Sequence, residues 1–262
     1  MTNDYKKISD SFINLLKVLR RLRGPDGCEW DQKQTSDSLI PYLLEEVYEI
    51  IESIEEGNTE VLKEELGDLT LHILFQAELA REVGKFTISD SLEHICNKLI
   101  QRHPHIFDKN YDSKAHYDTW ETIKQKEKQR KNILDGVPKK LPALLRARRI
   151  QEKASNVGFD WHDMDPVISK VDEEIIELKD SIKLKNIDRI KDEMGDVLFS
   201  LVNLSRFLDI NPEEALRGSI VKFENRFALV EDELKKKGKL ISDSNLEEID
   251  KIWDKIKKKA HI

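Results

Sequence analysis

The chain carries one acidic pattern twice at a fixed offset, and that repetition constrains its fold more than any other feature. Residues 45–49 read Glu-Glu-Val-Tyr-Glu and residues 65–68 read Glu-Leu-Gly-Asp. Residues 173–177 read Glu-Glu-Ile-Ile-Glu and residues 193–196 read Glu-Met-Gly-Asp. Each acid finds its counterpart 128 positions on: Glu45 and Glu173, Glu49 and Glu177, Glu65 and Glu193, Asp68 and Asp196. Lys63 and Lys191 keep the same offset. Loops drift in length between diverged copies of a domain, so an offset held across four carboxylates marks them as parts of one site. The sequence reads as a tandem repeat, each copy with its own carboxylate cluster.

Apolar residues recur at helical spacing almost throughout. In the first copy the spacing predicts helices over 5–23, 39–56, 60–83, 89–102 and 114–131, punctuated by Gly24-Pro25, Gly57-Asn58, Gly84 and Pro104. In the second it predicts helices over 141–157, 166–184, 186–208, 212–237 and 246–259. Gly27-Cys-Glu-Trp30 has a partner in Gly158-Phe-Asp-Trp161, and Trp120 with Lys124 in Trp253 with Lys257. No segment alternates as a strand would. The expectation is an all-α chain of two tandem helical bundles, residues 1–132 and 133–262, each large enough to bury a core.

A net charge of −7 argues against bulk binding to nucleic acid or to an anionic membrane. Two cysteines, Cys28 and Cys96, suit free thiols in a reducing cytoplasm. The first residues lack an apolar signal core, and no stretch approaches 18 apolar residues, so no membrane span is expected. Residues 124–153 hold eleven Lys or Arg against three acids. That stretch reads either as a solvated linker or as an electrostatic guide for an anionic substrate.

Glu46 and Glu49 stand three apart, hence on one helix face, as do Glu65 and Asp68 on the next helix. The short turn at Gly57-Asn58 packs those helices antiparallel, so both pairs converge in one groove. Glu174, Glu177, Glu193 and Asp196 repeat the arrangement. Four unpaired acids repel and raise one another's pKa, and a hard divalent cation removes the repulsion. All-oxygen ligation favours Mg²⁺, with Mn²⁺ as the alternative. With 51 acids in 262 residues, a lone Glu-Glu-x-x-Glu is commonplace on a solvated face; two copies with the same downstream Glu-x-x-Asp are not. Leu66, Leu69, Met194 and Val197 interleave with the acids, so both helices are expected to be mostly buried. Gly67 and Gly195, each mid-helix, point to close approach of another helix or a ligand.

No histidine has Glu three residues before it, which disfavours a di-iron carboxylate site. Two isolated cysteines do not make a zinc site, and no phosphate-binding Gly-rich loop is present. Phosphate contacts are sought instead in Lys98 with Arg102 and in Lys222 with Arg226, each a pair at i, i+4 after its acidic cluster. Arg189 shares a face with Glu193. Trp253 with Lys257 offers an aromatic plane beside an ammonium, or else a packed core Trp.

These residues resemble the MazG-type, all-α nucleoside triphosphate pyrophosphohydrolases. The acidic signature is joined by Leu22-Arg-Gly-Pro-Asp-Gly-Cys-Glu-Trp-Asp31, Arg102-His-Pro-His-Ile-Phe107, Leu134-Asp-Gly-Val-Pro138 and Gly158-Phe-Asp-Trp161. The ordered combination is similar to two-domain members over nearly the whole chain. The resemblance implies a cytoplasmic, Mg²⁺-dependent homodimer that cleaves nucleoside triphosphates between the α and β phosphates, in nucleotide-pool house-cleaning. It implies Glu174, Glu177, Glu193 and Asp196 as metal ligands, with Glu46, Glu49, Glu65 and Asp68 matching them in the first copy. Lys222, Arg226 and Trp253 match nucleotide contacts, as do Lys170 and the stretch Arg189 to Asp192, which includes Lys191. Ile220 stands where the family often has Asn. A carboxylate outside the metal shell would serve as base: Glu173, or Glu45 in the first copy. The reading from another class is a helical interaction module whose acidic grooves bind a basic partner or buffer cations. The first copy's His103-Pro-His-Ile-Phe107 interrupts a helix that continues in the second, so the second is expected to carry most turnover.

Overall fold

The structure is a computed structural model that describes residues 2–107 and 132–259. Every regular element among them is helical. The chain divides into two compact units, Met1–His116 and Tyr117–Ile262. The sequence set the junction at 132/133; nearly all of the intervening stretch lies outside the described residues, as do Trp120, Lys124 and the helix expected over 114–131.

The first unit contains α1 (Thr2–Arg23), α2 (Glu29–Lys33), α3 (Ile40–Glu56), α4 (Thr59–Glu82), α5 (Ile88–Arg102) and α6 (Pro104–Phe107). The second contains α7 (Ala143–Ser155), α8 (Met164–Leu184), α9 (Ile187–Phe207), α10 (Pro212–Lys236), a 3₁₀ turn (Ile241–Asp243) and α11 (Leu246–Lys259). Helices α2 and α6 escaped the sequence reading because one turn is too short to show a period.

Each unit is organised by one antiparallel hairpin, α3 against α4 and α8 against α9. The hairpin turns match residue for residue. Gly57 closes α3 at φ 69° and Lys185 closes α8 at φ 54°, both left-handed. The next residue caps the following helix: Asn58 Oδ1 accepts from Val61 N at 3.3 Å, and Asn186 Oδ1 from Arg189 N at 3.1 Å. This shared turn fixes the register between the helices, and so places the acids of one opposite the acids of the other.

The cores differ between the units. In the first, Leu19, Leu39, Leu74 and Phe75 form a closed cluster. In the second, the positions 128 residues beyond Leu39, Leu74 and Phe75 hold Val167, Val202 and Asn203. Each replacement is smaller. A separate cluster of Val230, Leu234 and Ile252 joins α10 to α11.

Two expectations about the acidic helices are corrected. They are not mostly buried: Leu66 is 49% exposed and Met194 45%. Ile73, Leu198 and Leu201 are exposed as well. Each hairpin buries one stripe of its apolar surface and leaves the rest open. Nor do Gly67 and Gly195 mark the close approach of another helix, since a Cβ at either would meet nothing within 4 Å.

Candidate active site

Helix α3 carries Glu46 and Glu49 one turn apart, and the hairpin sets Glu65 of α4 against them. One carboxylate oxygen from each lies within 4.8 Å of the other two. Glu174 and Glu177 of α8 with Glu193 of α9 form the same triplet. The expected fourth acid, Asp68 or Asp196, stands outside each triplet.

The first cluster is electrostatically unrelieved. Loss of solvent pushes Glu46 above the usual carboxylate range, reinforced by the charges of Asp68 and Glu49. Loss of solvent, then Glu49, Glu46 and Asp68, push Glu65 up to about 6. Beside them His72 sets Nε2 3.6 Å from Glu46 Oε1. Burial pulls the imidazole pKa down, so at neutral pH the ring adds little positive charge. It stacks on Tyr42, centroids 6.4 Å apart, and Tyr42 meets the edge of Trp30 at 5.8 Å. The search for Glu-x-x-His missed His72 because it meets Glu46 across the hairpin. The legible signal was its place one turn beyond Asp68.

The second cluster brings its own cations. Lys170 Nζ lies 2.8 Å from both Glu173 Oε1 and Glu174 Oε1. Those hydrogen bonds, Glu173's foremost, hold the ammonium well above its usual pKa. Arg189 Nε donates to Glu193 Oε1 at 3.2 Å, as their spacing foretold. At the positions of Lys170 and Arg189 the first copy has Tyr42 and Val61. Glu177 is nevertheless pushed up, by loss of solvent and then by Glu193.

The other expected residues fall in several places. Lys191 is exposed on α9, and Lys63 pairs with Glu60 on α4. Lys222 and Arg226 lie on α10; Trp253 of α11 meets Phe223 at 5.2 Å and packs on the cluster below. Trp253 is thus half-buried, and the residue it meets, Phe223, follows Lys222 on α10. No hydrogen bond or ion pair joins Lys222, Arg226, Trp253 or Lys257 to the acids among the described residues. Lys98 is half-buried on α5, and Arg102 is only 6% exposed. Glu45 is exposed beside its cluster. The described part of the basic stretch ties the second unit together: Arg148 donates to Glu152 and to Ile210 O, and Lys153 to Ile133 O.

A cavity of about 680 Å³ opens beside the second triplet. Its charged lining residues are Lys170, Glu174, Asp196, Asp160 and Arg206. Phe199, Phe159 and Trp161 give it aromatic walls, and Gln151 and Asn203 line it as well. The loop carrying Phe159 and Trp161 is fastened to α9. Arg206 donates to both oxygens of Asp160, at 2.9 and 2.6 Å, and also to Asn203 Oδ1. The Arg206 hydrogen bond holds the Asp160 carboxyl below its usual range. The sequence reading passed over Phe199, Asn203 and Arg206, yet they follow Asp196 at helical spacing on one face of α9.

Comparison with known proteins bears on this geometry. The model of the MazG nucleotide pyrophosphohydrolase domain matches residues 34–107 and again 165–230. The chain is 47% identical to the nucleoside triphosphate pyrophosphohydrolase/pyrophosphatase MazG of Thermotoga maritima, over 94% of this chain and 95% of that protein. It is 40% identical to the nucleoside triphosphate pyrophosphohydrolase of Escherichia coli K12, over 93% of this chain and 96% of that protein.

Proposed function

The chain belongs to the MazG nucleotide pyrophosphohydrolase family, and we propose that it hydrolyses nucleoside triphosphates and their deoxy forms between the α and β phosphates, releasing a nucleoside monophosphate and pyrophosphate. The observation that carries this reading is the convergence, in each unit, of three carboxylates from two antiparallel helices to within 4.8 Å. An all-oxygen donor set fits Mg²⁺, with Mn²⁺ as a substitute. Glu174, Glu177 and Glu193, with Asp196 alongside, would hold it in the second unit; Glu46, Glu49 and Glu65, with Asp68, in the first. When bound, the metal neutralises phosphate charge and makes water more acidic.

The chain's own groups do the rest. Lys170 and Arg189 sit at the rim of the second triplet, where an incoming phosphate competes with the glutamates for them. Lys191, Lys222 and Arg226 add positive charge for the phosphate chain, and Trp253 with Lys257 a further nucleotide contact. Lys98 and Arg102 are their counterparts in the first unit. Glu173 is released as a base for the attacking water when Lys170 turns to substrate; Glu45 holds that place in the first unit.

Open apolar stripes support assembly into a homodimer: Met194, Leu198 and Leu201 on α9, and Ile220, Phe223 and Phe227 on α10, are all exposed. No helix among the described residues is long and apolar enough to cross a membrane. The acidic charge and the exposed free thiols Cys28 and Cys96 support a cytoplasmic enzyme that does not bind nucleic acid.

The test is a product assay over the canonical ribo- and deoxyribonucleoside triphosphates with Mg²⁺. Pyrophosphate and monophosphate are expected as primary products. Orthophosphate with nucleoside diphosphate would overturn the cleavage site. Metal uptake without turnover would make the chain a cation-binding helical module instead.

A further inference from the structure

We propose that Gln151 reads the nucleobase in the second unit: its side-chain oxygen accepts a hydrogen bond from an N–H on the base edge, so the cavity beside the acids selects bases that present one. This rests on the triphosphate reading above and names the group that gives it base selectivity.

Gln151 is only 7% exposed. Its Nε2 donates to the backbone oxygen of Phe199 at 2.9 Å. A carbonyl can only accept, so the amide orientation is set and Oε1 is the atom left over. That oxygen is buried and has no partner among the described residues. Folded proteins seldom leave a buried acceptor unsatisfied, because it has given up its hydrogen bonds to water. Gln151 lines the cavity, so a small turn of its side chain brings the covered Oε1 to a donor held there.

The cavity's shape says which kind of donor. At about 680 Å³ it falls within the usual range for small-molecule sites, roughly 300–1,000 Å³. Phe159, Trp161 and Phe199 are 83%, 43% and 45% exposed, which leaves aromatic faces for a planar ring to stack on. Lys170, Glu174 and Asp196 line it as well, and the Asp160 that stands between Phe159 and Trp161 is already paired with Arg206. Aromatic faces beside the acid triplet match a nucleotide, base and phosphate. The first unit is built otherwise: Leu39, Leu74 and Phe75, at most 3% exposed, fill the places of Val167, Val202 and Asn203. At the offset that pairs Gly27-Cys-Glu-Trp30 with Gly158-Phe-Asp-Trp161, the counterpart of Gln151 is Arg20, which can only donate and is bound to Glu78. The reader therefore belongs to the second unit alone.

The experiment compares base pairs that differ by the donor: ATP against purine riboside triphosphate, and CTP against 2-pyrimidinone riboside triphosphate, in Mg²⁺ buffer. Wild type is expected to show a KM about tenfold higher for each analogue, with kcat little changed. Gln151→Met, which keeps the length of the side chain, and Gln151→Leu are expected to treat each pair alike. Both variants lose the bond to Phe199 O together with the orphan acceptor, so their melting temperatures should stay close to wild type. Wild type without discrimination, or variants that retain it, would overturn the proposal. If both variants failed to fold, the wild-type comparison alone would decide. Pyrophosphate release without discrimination sinks this inference and leaves the reaction standing; no release from any triphosphate sinks both.

Discussion

Lys170 Nζ lies 2.8 Å from Oε1 of Glu174, so the acid cluster of the second unit carries its own counter-cation. Glu174 is buried while Lys170 keeps contact with solvent. Lys170→Met strands a buried carboxylate among other acids. In chelator the variant is expected to lose about 1 kcal/mol, a figure held down by the screening of a half-exposed ammonium. Mg²⁺ should restore most of the loss, because a cation again faces Glu174. The KM for triphosphate should rise. Denaturant unfolding with and without chelator checks this; a variant as stable as wild type in chelator would show that the pair contributes nothing.

The two hairpin turns make a second comparison possible within one chain. Gly57 adopts its left-handed conformation without steric cost, whereas Lys185, at φ 54°, sets a Cβ against the following carbonyl. The Asn that follows is the same in both turns. Lys185→Gly is therefore expected to stabilise the second unit by about 1 kcal/mol, with no effect on turnover. An unchanged or lowered denaturation midpoint would show that the turn is not strained.

Both hairpins were legible in the sequence because three independent signals agreed: apolar periodicity, turn residues at 57–58, and a constant offset between the copies. The acid triplets followed from helix geometry once the hairpin was fixed. What the sequence hid was tertiary. The expected burial of Leu66 and Met194 failed because apolar spacing reveals that a helix has an apolar face, not how much of that face its own chain covers. The helix expected close to Gly195 is absent for the same reason, since no protein atom lies within 4 Å of a Cβ built there. The cavity could not be seen in any one residue. Two of the smaller residues of the second unit, Val167 and Asn203 in the places of Leu39 and Phe75, line it, and only a packed structure turns such replacements into a volume.

Protonation should tune the first cluster. Glu65 has a folded pKa of about 6, above the ordinary 4.5. The folded, metal-free protein therefore holds this proton more tightly than the unfolded chain. Its stability should rise as pH falls from neutrality through 6 toward 4.5, and the gain should be complete below that. Mg²⁺ held by these acids, as proposed, would act in the opposite direction, so any rise in melting temperature on adding it should shrink over the same window. Glu65→Gln should flatten both trends. A wild-type protein whose metal-free stability falls steadily on acidification across that window would contradict the raised pKa.

The copies are expected to divide the work unequally. Both keep the acid triplet, so the acids alone do not distinguish them. The surroundings do. The second unit has Lys170 and Arg189 at its triplet, a cavity beside it, and Lys222 and Arg226 on the unbroken helix α10. The first has Tyr42 and Val61 at those positions and a closed core of Leu39, Leu74 and Phe75, and its α5 stops at Arg102 before Pro104. In the proposed reading, removing one of these acids from the working site removes the cation with it. Glu174→Ala, Glu177→Ala, Glu193→Ala and Asp196→Ala are each expected to lower turnover by about 100-fold or more, while the variants stay folded, since deleting one acid relieves repulsion among the others. Glu49→Ala should cost no more than a few-fold on the same triphosphates. The paired measurement is initial pyrophosphate release from Glu49→Ala and Glu177→Ala at saturating Mg²⁺. Turnover abolished in the first and intact in the second would reverse the assignment, and equal partial losses would mean two comparable sites.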